Sequence, residues 1–367
     1  MAKTSLAVKY RPQTFDDMTE QKSIKDILEN QIKTKTFQHG YLFTGPAGTG
    51  KTTSARIFAT MINEGKGTPI EVDAASNSGV DNIRQIIEDA KRKPLDAEYK
   101  IFIVDECHSL SNGAWQALLK TLEEPPKFTI FIFCTTDPQK IPTTILSRVQ
   151  RYNFQKISNK GIVERLSEII IHENRELIED AGGSQDALND IEWAKHEGIS
   201  CIDYDEDALE YIAKVSNGGM RDAITLLDKC SSLCDQLTLE NVLNIIGTEN
   251  FETFFDFLED LASKKSECIH IIDDAYRQGK DVKQLMKEFA KFLLDVQRYI
   301  IYKDFKYVTI PETETNKEKL DYLYMNKVSI MEIIELVVDI NNQVKWDSDP
   351  RTLIELSILI YCGKNED

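Results

Sequence analysis

One short run limits what this chain can fold into more than any other part of its sequence. The run is Gly45-Pro46-Ala47-Gly48-Thr49-Gly50-Lys51-Thr52, and it fits the pattern G-x-x-x-x-G-K-[ST]. An apolar stretch before it predicts a strand, and the residues after it predict a helix. Chance would place such a match in a chain of this length on the order of 1% of the time. The sequence therefore predicts a loop that binds the phosphates of a nucleoside triphosphate.

The chemistry of this loop suggests a role for each part of it. Glycines let the backbone turn so that its N–H groups face one concavity, and the N-terminus of the following helix adds partial positive charge. We expect Lys51 to reach the β- and γ-phosphates of ATP and the Thr52 hydroxyl to coordinate Mg²⁺. Thr53 is expected to lie beside the nucleotide as well.

A second motif follows downstream, at the end of the segment 100–104, in which four apolar residues follow Lys100. That segment is typical of a strand buried on both faces, and it runs into Asp105-Glu106-Cys107-His108. An acidic strand end can simply face solvent, but a preceding phosphate loop favours a functional interpretation. We expect Asp105 to act on Mg²⁺, directly or through water, and Glu106 to orient and polarise the attacking water. His108 is then a packing or hydrogen-bonding neighbour.

Strands and helices alternate over the first part of the chain. Predicted strands cover residues 39–44, 70–73, 100–104, 129–134 and 151–154. This alternation predicts an α/β doubly wound parallel sheet that binds its ligand at the carboxyl ends of the strands. From residue 158 onward the strand signals end and helical patterns follow, among them the apolar stripe that begins at Phe251.

Composition limits the partners and the compartment. With a net charge of −17, nucleic-acid contacts must come from a local patch or from partner subunits. No apolar run approaches the roughly 18 residues of a membrane span, and we expect no membrane association and a cytoplasmic location. The seven cysteines are scattered, and Cys230 and Cys234 are interpreted as buried apolar residues rather than as a metal site. Free thiols in a reducing compartment follow.

Five further segments resemble the gamma/tau subunits of bacterial DNA polymerase III clamp loaders, a family of AAA+ ATPases. They are KYRPQTF at 9–15, VDAAS at 72–76, LLKTLEEPP at 118–126, TTDPQK at 135–140 and ILSR at 145–148. The resemblance extends over nearly the whole chain. It implies an AAA+ Rossmann-like ATPase domain over residues 1–156, an α-helical lid over 157–237 and an α-helical collar for oligomerisation over 238–367.

The resemblance also implies roles for single residues. Thr135 matches sensor 1, a polar group beside the γ-phosphate, and Arg221 matches sensor 2, which the lid carries. Arg148 matches the arginine finger that completes the ATP site of a neighbouring subunit; without the family it would be interpreted as a surface arginine. The adenine is expected to lie near three residues of the first segment, Tyr10, Arg11 and Pro12.

The family's activity would make this chain an ATP-hydrolysing motor that opens a ring-shaped sliding clamp and places it on primer-template DNA. Its implied partners are the clamp, the DNA and other loader subunits in a homo- or hetero-oligomeric ring, expected to be a pentamer. Asn82 and Arg84 are candidate DNA contacts, although a solvated helix face explains Arg84 equally well.

Three features depart from the family pattern. Only residues 63–69 stand where the family has a four-cysteine zinc module, so no zinc is expected. Val149 stands where the family has a cysteine after the arginine finger. The segment 174–200 is longer and more acidic than the corresponding part of the family's lid. The chain ends after the third predicted domain, as in the shorter gamma form, and a phage or divergent origin is open.

Two alternatives remain. A scaffold subunit of the same assembly would bind without hydrolysing, but the intact Lys51, Thr52, Glu106 and Arg148 argue against it. A different AAA+ machine, such as a branch-migration helicase motor, would not be expected to carry the Glu-Glu-Pro-Pro and Thr-Asp-Pro-Gln-Lys segments.

Overall fold

The structure is a computed structural model, and it describes residues 4–183, 191–234, 236–246, 249–325, 330–345 and 347–363. The chain forms two compact units, residues 1–239 and 240–367. The first unit contains, in chain order, α1 (Leu6–Lys9), α2 (Lys22–Thr34), β1 (Gly40–Thr44), α3 (Lys51–Ile62), β2 (Ile70–Asp73), α4 (Val80–Ala90), β3 (Lys100–Asp105), α5 (Asn112–Glu123), β4 (Thr129–Thr135), α6 (Thr143–Leu146), β5 (Gln150–Asn153), α7 (Asn159–Asp180), α8 (Ile191–His196), β6 (Asp203–Tyr204), α9 (Glu206–Val215), α10 (Met220–Ser231) and β7 (Gln236–Leu237).

Five strands form one parallel sheet in the order β2-β3-β4-β1-β5. The last residue of β1, Thr44, is in register with Thr135 on one side and Asn153 on the other. Asp105, at the end of β3, is in register with Asp73 of β2. The carboxyl ends of the strands therefore meet at one edge, and the predicted doubly wound parallel sheet is confirmed.

Alternate side chains of β1 pack into two different cores. Tyr41 and Phe43 join a cluster with Phe58 of α3, whereas Leu42 joins a second cluster with Trp115 of α5. This division follows from the pleat of a strand, which directs successive side chains to opposite faces. Both faces of β1 and β4 are covered, and every residue of these two strands is buried. The sheet is thus the middle of three layers.

Beyond β5 the first unit is mostly helical, but it holds a short strand pair that the sequence did not predict. Strands β6 and β7 pair in parallel over two residues each, with Asp203 opposite Gln236. Two residues are too few to show an alternating pattern, so the prediction that strands end at residue 158 is wrong here. Part of the acidic stretch 174–200, residues 184–190, lies outside the described residues.

The second unit is built from helices in its described parts. Its helices are α11 (Leu239–Ile246), α12 (Glu249–Ala262), α13 (Ile269–Arg277), α14 (Val282–Tyr302), α15 (Glu314–Met325), α16 (Ile330–Val344) and α17 (Pro350–Gly363). A cluster of buried aromatic and aliphatic side chains, including Phe255, Phe289 and Phe292, forms its core. Within the described part of the chain, no helix is long and apolar enough to cross a membrane.

Candidate nucleotide-binding and hydrolysis site

The loop between β1 and α3 depends on glycine, most clearly at Gly45 and Gly48. Gly45 and Gly48 have positive φ angles of 146° and 71°, in the region that side chains disfavour. A Cβ atom on Gly45 would lie 2.4 Å from the Phe154 carbonyl oxygen, and one on Gly48 would lie 2.9 Å from Cα of Gly219. The backbone N–H of Met220 also donates to the Gly48 carbonyl at 3.0 Å. The loop therefore lies tightly between β5 and the start of α10.

Lys51 begins α3 and is only 6% exposed. Its Nζ donates to the Pro46 carbonyl at 2.7 Å, which curls the side chain back over the loop. Burial lowers the pKa of Lys51, while the negative charges of Glu106 and Asp105 act in the opposite direction. A desolvated ammonium beside a concavity of backbone N–H groups is suited to an anionic ligand.

Thr52 and Asp105 come together as the sequence predicts. The Thr52 hydroxyl donates to Oδ2 of Asp105 at 2.8 Å, and Oδ1 of Asp105 accepts the N–H of Glu106 at 2.9 Å. Hydroxyl and carboxylate oxygens are ligands that Mg²⁺ accepts, and Mg²⁺ commonly takes one or two protein ligands together with substrate phosphates and water. The donor set fits a Mg²⁺ ion that is completed by a nucleotide.

Glu106 follows β3 with a left-handed backbone, at φ 45° and ψ 42°. Its Oε2 accepts a hydrogen bond from the Thr136 hydroxyl at 3.2 Å and lies 3.2 Å from Nδ1 of His108. The same His108 nitrogen lies 3.1 Å from Oγ1 of Thr135. His108 therefore joins the ends of β3 and β4 as a hydrogen-bonding neighbour. Thr136 was not predicted from the sequence, although a second polar residue directly after a buried strand was a usable signal.

One cavity is lined by most of the residues that are predicted to bind the nucleotide. It is lined by loop residues 47–53, by Asp105 and Glu106, by Arg221, and by Tyr10, Arg11 and Pro12. Gly45, Pro46, Thr135 and Arg148 are not among its lining residues. Arg56 and Arg165 line the cavity too, and neither was predicted from the sequence. The helical position of Arg56, one turn after Thr52, was the available signal for it.

Arginines concentrate positive charge around this cavity. Burial lowers the pKa of the Arg11 guanidinium, and the positive charges of Arg56 and Arg221 lower it further. The Nη2 atom of Arg56 pairs with Glu71 on β2 at 2.5 Å. Arg221 is the second residue of α10, next to the contact with Gly48. These arginines suit the negative charge of a triphosphate.

The segment that contains Tyr10 is tied to the helices after the sheet. The Tyr10 hydroxyl donates to Oε1 of Glu173 on α7 at 2.6 Å, and Lys9 pairs with the same carboxylate at 2.5 Å. The backbone N–H of Leu6 donates to Asp228 on α10 at 3.0 Å. These contacts hold one wall of the cavity against α7 and α10.

Arg148 lies elsewhere on the first unit. It follows α6, and its Nη2 donates to Oε1 of Glu123 at 2.5 Å. The candidate DNA residue Arg84 is exposed on α4 and pairs with Asp81 at 3.0 Å. Neither arginine lines the cavity described above.

Six of the seven cysteines are buried. Cys230 is fully buried, and Cys234, one turn later, donates its thiol to the Cys230 carbonyl at 3.3 Å. Among the described residues, no group of three or more His, Cys, Asp or Glu side chains is placed to hold a metal ion. The predicted absence of zinc remains a prediction.

Comparison with known proteins gives two family matches. A model described as DNA polymerase III, delta subunit, matches residues 69–158, and one described as DNA polymerase III clamp loader subunit, ATPase lid domain, matches residues 196–236. Among solved structures, the Thermotoga maritima RuvB Holliday junction branch migration motor covers 75% of this chain and 87% of its own at 19% identity, with a TM-score of 0.49. That likeness is too low to support a conclusion about function.

Sequence relatives extend the match along the chain. DNA polymerase III subunit tau of Bacillus subtilis (strain 168) is 34% identical over 96% of this chain and 62% of its own length. Subunit gamma/tau of Mycoplasma genitalium is 32% identical over 98% of this chain and 58% of its own. Subunit tau of Escherichia coli (strain K12) is 30% identical over 78% and 44%. The chain thus spans about three fifths or less of these relatives, and over that part it is similar to the gamma/tau subunits of DNA polymerase III.

Proposed function

We propose that this chain is the ATP-hydrolysing motor subunit of a DNA polymerase sliding-clamp loader, within a DNA polymerase III-type holoenzyme. It would open the clamp and place it on primer-template DNA during replication. One observation carries the ATPase part: Thr52 and Asp105 are hydrogen-bonded at 2.8 Å beside a cavity that Lys51 and Glu106 also line. A scaffold subunit that only binds has no need for an acid placed next to a phosphate loop and a Mg²⁺ ligand pair.

The residues divide the reaction between binding and chemistry. Backbone N–H groups of the loop and Lys51 hold the β- and γ-phosphates of the substrate ATP. Mg²⁺, held by Thr52 and Asp105, would neutralise charge on the phosphate oxygens. Glu106 orients a water in line with the γ-phosphorus and polarises it. The new bond joins the water oxygen to phosphorus, the bond to the β-phosphate oxygen breaks, and ADP and phosphate leave.

Three further residues are proposed to complete the site. Thr135 is the last residue of β4 and would lie beside the γ-phosphate. Its hydroxyl accepts the N–H of Asp137 at 3.0 Å and lies beside His108. Arg221 would contact the phosphates from the start of α10, where the backbone already touches the loop. Arg148 would act on the ATP of a neighbouring subunit, since it does not line its own cavity.

The domains and partners are proposed on the same basis. Residues 1–156 would form the AAA+ domain, 157–237 the lid, within which the lid model matches, and 238–367 the collar. The partners would be a sliding clamp, other loader subunits in a ring of five, and primer-template DNA. The relatives named above are DNA polymerase III subunits of bacteria, so we propose that the chain acts in the bacterial cytoplasm.

The test measures clamp loading directly. The chain is assembled with bacterial loader subunits, and ATP turnover and transfer of a labelled clamp to primed DNA are followed together. We expect the clamp and the DNA to stimulate turnover, and Lys51→Ala to abolish both signals. Clamp binding without ATP turnover in the wild-type assembly would instead support the scaffold alternative.

A further inference from the structure

The guanidinium of Arg148 is held by acceptors of its own chain. Its Nη1 donates to the Thr144 carbonyl at 2.5 Å and to the Ser147 hydroxyl at 3.0 Å. Its Nη2 donates to Oε1 of Glu123 at 2.5 Å. An arginine on a protein surface normally samples many rotamers. The three hydrogen bonds described here hold the Arg148 guanidinium in one orientation.

The carboxylate in this arrangement comes from a motif that the ATPase site does not use. Glu123 is the last residue of α5 and the first acid of the Glu-Glu-Pro-Pro segment. A cation beside the last turn of a helix is also favoured by the partial negative charge there. The prolines that follow prevent α5 from continuing, so the position of Glu123 relative to Arg148 is defined by the backbone.

Stability does not account for this pair. The side chains of Arg148 and Glu123 are 33% and 48% exposed, and ion pairs at such exposure contribute little to folding. Orientation, in contrast, matters strongly for an arginine that must meet a phosphoryl group, because small misplacements of a catalytic group can cost about 100-fold in rate. A guanidinium has five N–H donors, and the bonds described here use Nη1 twice and Nη2 once.

We propose that Glu123 is a positioning residue for Arg148: it holds the guanidinium in the orientation from which it contacts the γ-phosphate of ATP bound to the next subunit. This role depends on the proposed action of Arg148 in trans. Glu123 touches neither ATP nor water and acts only through Arg148. Pre-orientation removes the cost of ordering a long side chain at the moment when subunits close on ATP.

The first experiment compares Glu123→Ala with Glu124→Ala in the assembled loader. The two glutamates are adjacent and exposed, so the second variant is a matched control for charge and for the end of the helix. For Glu123→Ala we expect kcat to fall by between about 5-fold and 100-fold, with nucleotide affinity and melting temperature unchanged. Glu124→Ala should stay within about twofold of wild type. Unchanged or increased turnover in Glu123→Ala overturns the proposal; an increase would mean that Glu123 restrains the arginine.

The second experiment asks on which site the defect falls. Chains with Glu123→Ala are mixed with Glu106→Gln chains, which lack the residue for hydrolysis but keep an intact Arg148. Positioning in trans predicts turnover above the average of the two separate assemblies, because some interfaces then pair an intact Glu106 with an intact Arg148. Mixing Glu123→Ala with Arg148→Ala should restore nothing, and the double variant should be no slower than Arg148→Ala alone.

Arg148→Ala is measured in parallel. It shows whether a negative result contradicts the action of Arg148 in trans or only the positioning role of Glu123. If Arg148→Ala retains full turnover, the proposed action of Arg148 in trans is wrong, and the role of Glu123 is wrong with it. If Arg148→Ala is slow while Glu123→Ala is not, only the positioning role is wrong.

Discussion

The hydroxyl of Thr52 donates a 2.8 Å hydrogen bond to Oδ2 of Asp105, although 53 residues separate them in the chain. The bond joins the first turn of α3 to the end of β3, across the edge where the strands of the sheet end. The hydroxyl and the carboxylate therefore lie close enough together to bind the same cation.

If Thr52 and Asp105 hold Mg²⁺, a substitution at Asp105 should lower nucleotide affinity only when the metal is present. Asp105→Asn should weaken ATP binding when Mg²⁺ is present, because a neutral amide is a poorer ligand for a small hard cation. Binding measured with a chelator should hardly change, since the proposed contacts of Lys51 and the loop with the phosphates do not need the metal. Titration calorimetry with and without Mg²⁺ checks this, and Thr52→Ser, which retains the hydroxyl, is the control. Equal losses under both conditions would contradict a role through the metal.

Lys51 and Glu106 should separate binding from hydrolysis. We propose that Lys51 contacts phosphate in the ground state, so Lys51→Ala should abolish productive ATP binding. Glu106→Gln should bind ATP normally and block turnover, because the proposed action of Glu106 is on the water during the reaction. Fluorescent-nucleotide titration and single-turnover hydrolysis measure the two steps. The same loss of affinity in both variants would refute this division.

Burial of Lys51 has a consequence for the stability of the nucleotide-free protein. Its folded-state pKa is lowered below the ordinary value, so below that folded pKa the desolvated charge disfavours the folded state. The cost disappears as pH rises through the folded pKa toward the unfolded value of 10.5. Lys51→Met removes the charge, and the Pro46 carbonyl still accepts the Thr49 hydroxyl at 2.9 Å.

We therefore expect Lys51→Met to be at least as stable as wild type at neutral pH, while losing the rise in melting temperature that ATP produces. Thermal melts at pH 7 with and without nucleotide check both parts. A clearly less stable apoprotein would show that the bond from Lys51 to Pro46 outweighs the desolvation of the charge.

Arg148 should affect a neighbour's ATP and not its own. An arginine supplied in trans raises turnover by about 10³ to 10⁵ in related chemistry, so Arg148→Ala should reduce the turnover of the assembled loader severely. Nucleotide affinity of the isolated chain should not change, since Arg148 lies outside its own cavity lining. Mixing with Glu106→Gln chains should restore part of the activity. Demonstrated co-assembly without any recovery would rule out action in trans.

Zinc content tests the departure from the family's cysteine module. Protein purified without a chelator should contain well under one zinc per chain, because only residues 63–69 occupy the place of that module. Elemental analysis by mass spectrometry gives the number directly. A stoichiometric metal would mean that other side chains converge on an ion.

Local sequence patterns predicted much of the first unit. Continuous apolar runs such as 101–104 identified buried strands, and the glycine pattern identified the loop, because both signals are confined to a few neighbouring residues. Boundaries shifted by about one residue, as at β5, which spans Gln150–Asn153. The pair β6 and β7 was missed since strands of two residues carry no pattern.

By itself, the sequence determined the strand–helix alternation, the phosphate loop with Lys51 and Thr52, and the acidic strand end with Asp105 and Glu106. Tertiary structure alone decided which distant side chains meet: Thr136 at Glu106, Arg56 at the cavity and Glu123 at Arg148. The physical reason is that a motif reports the conformation of its own backbone. A contact between residues far apart in the chain depends on strand order and helix packing, which no local pattern encodes.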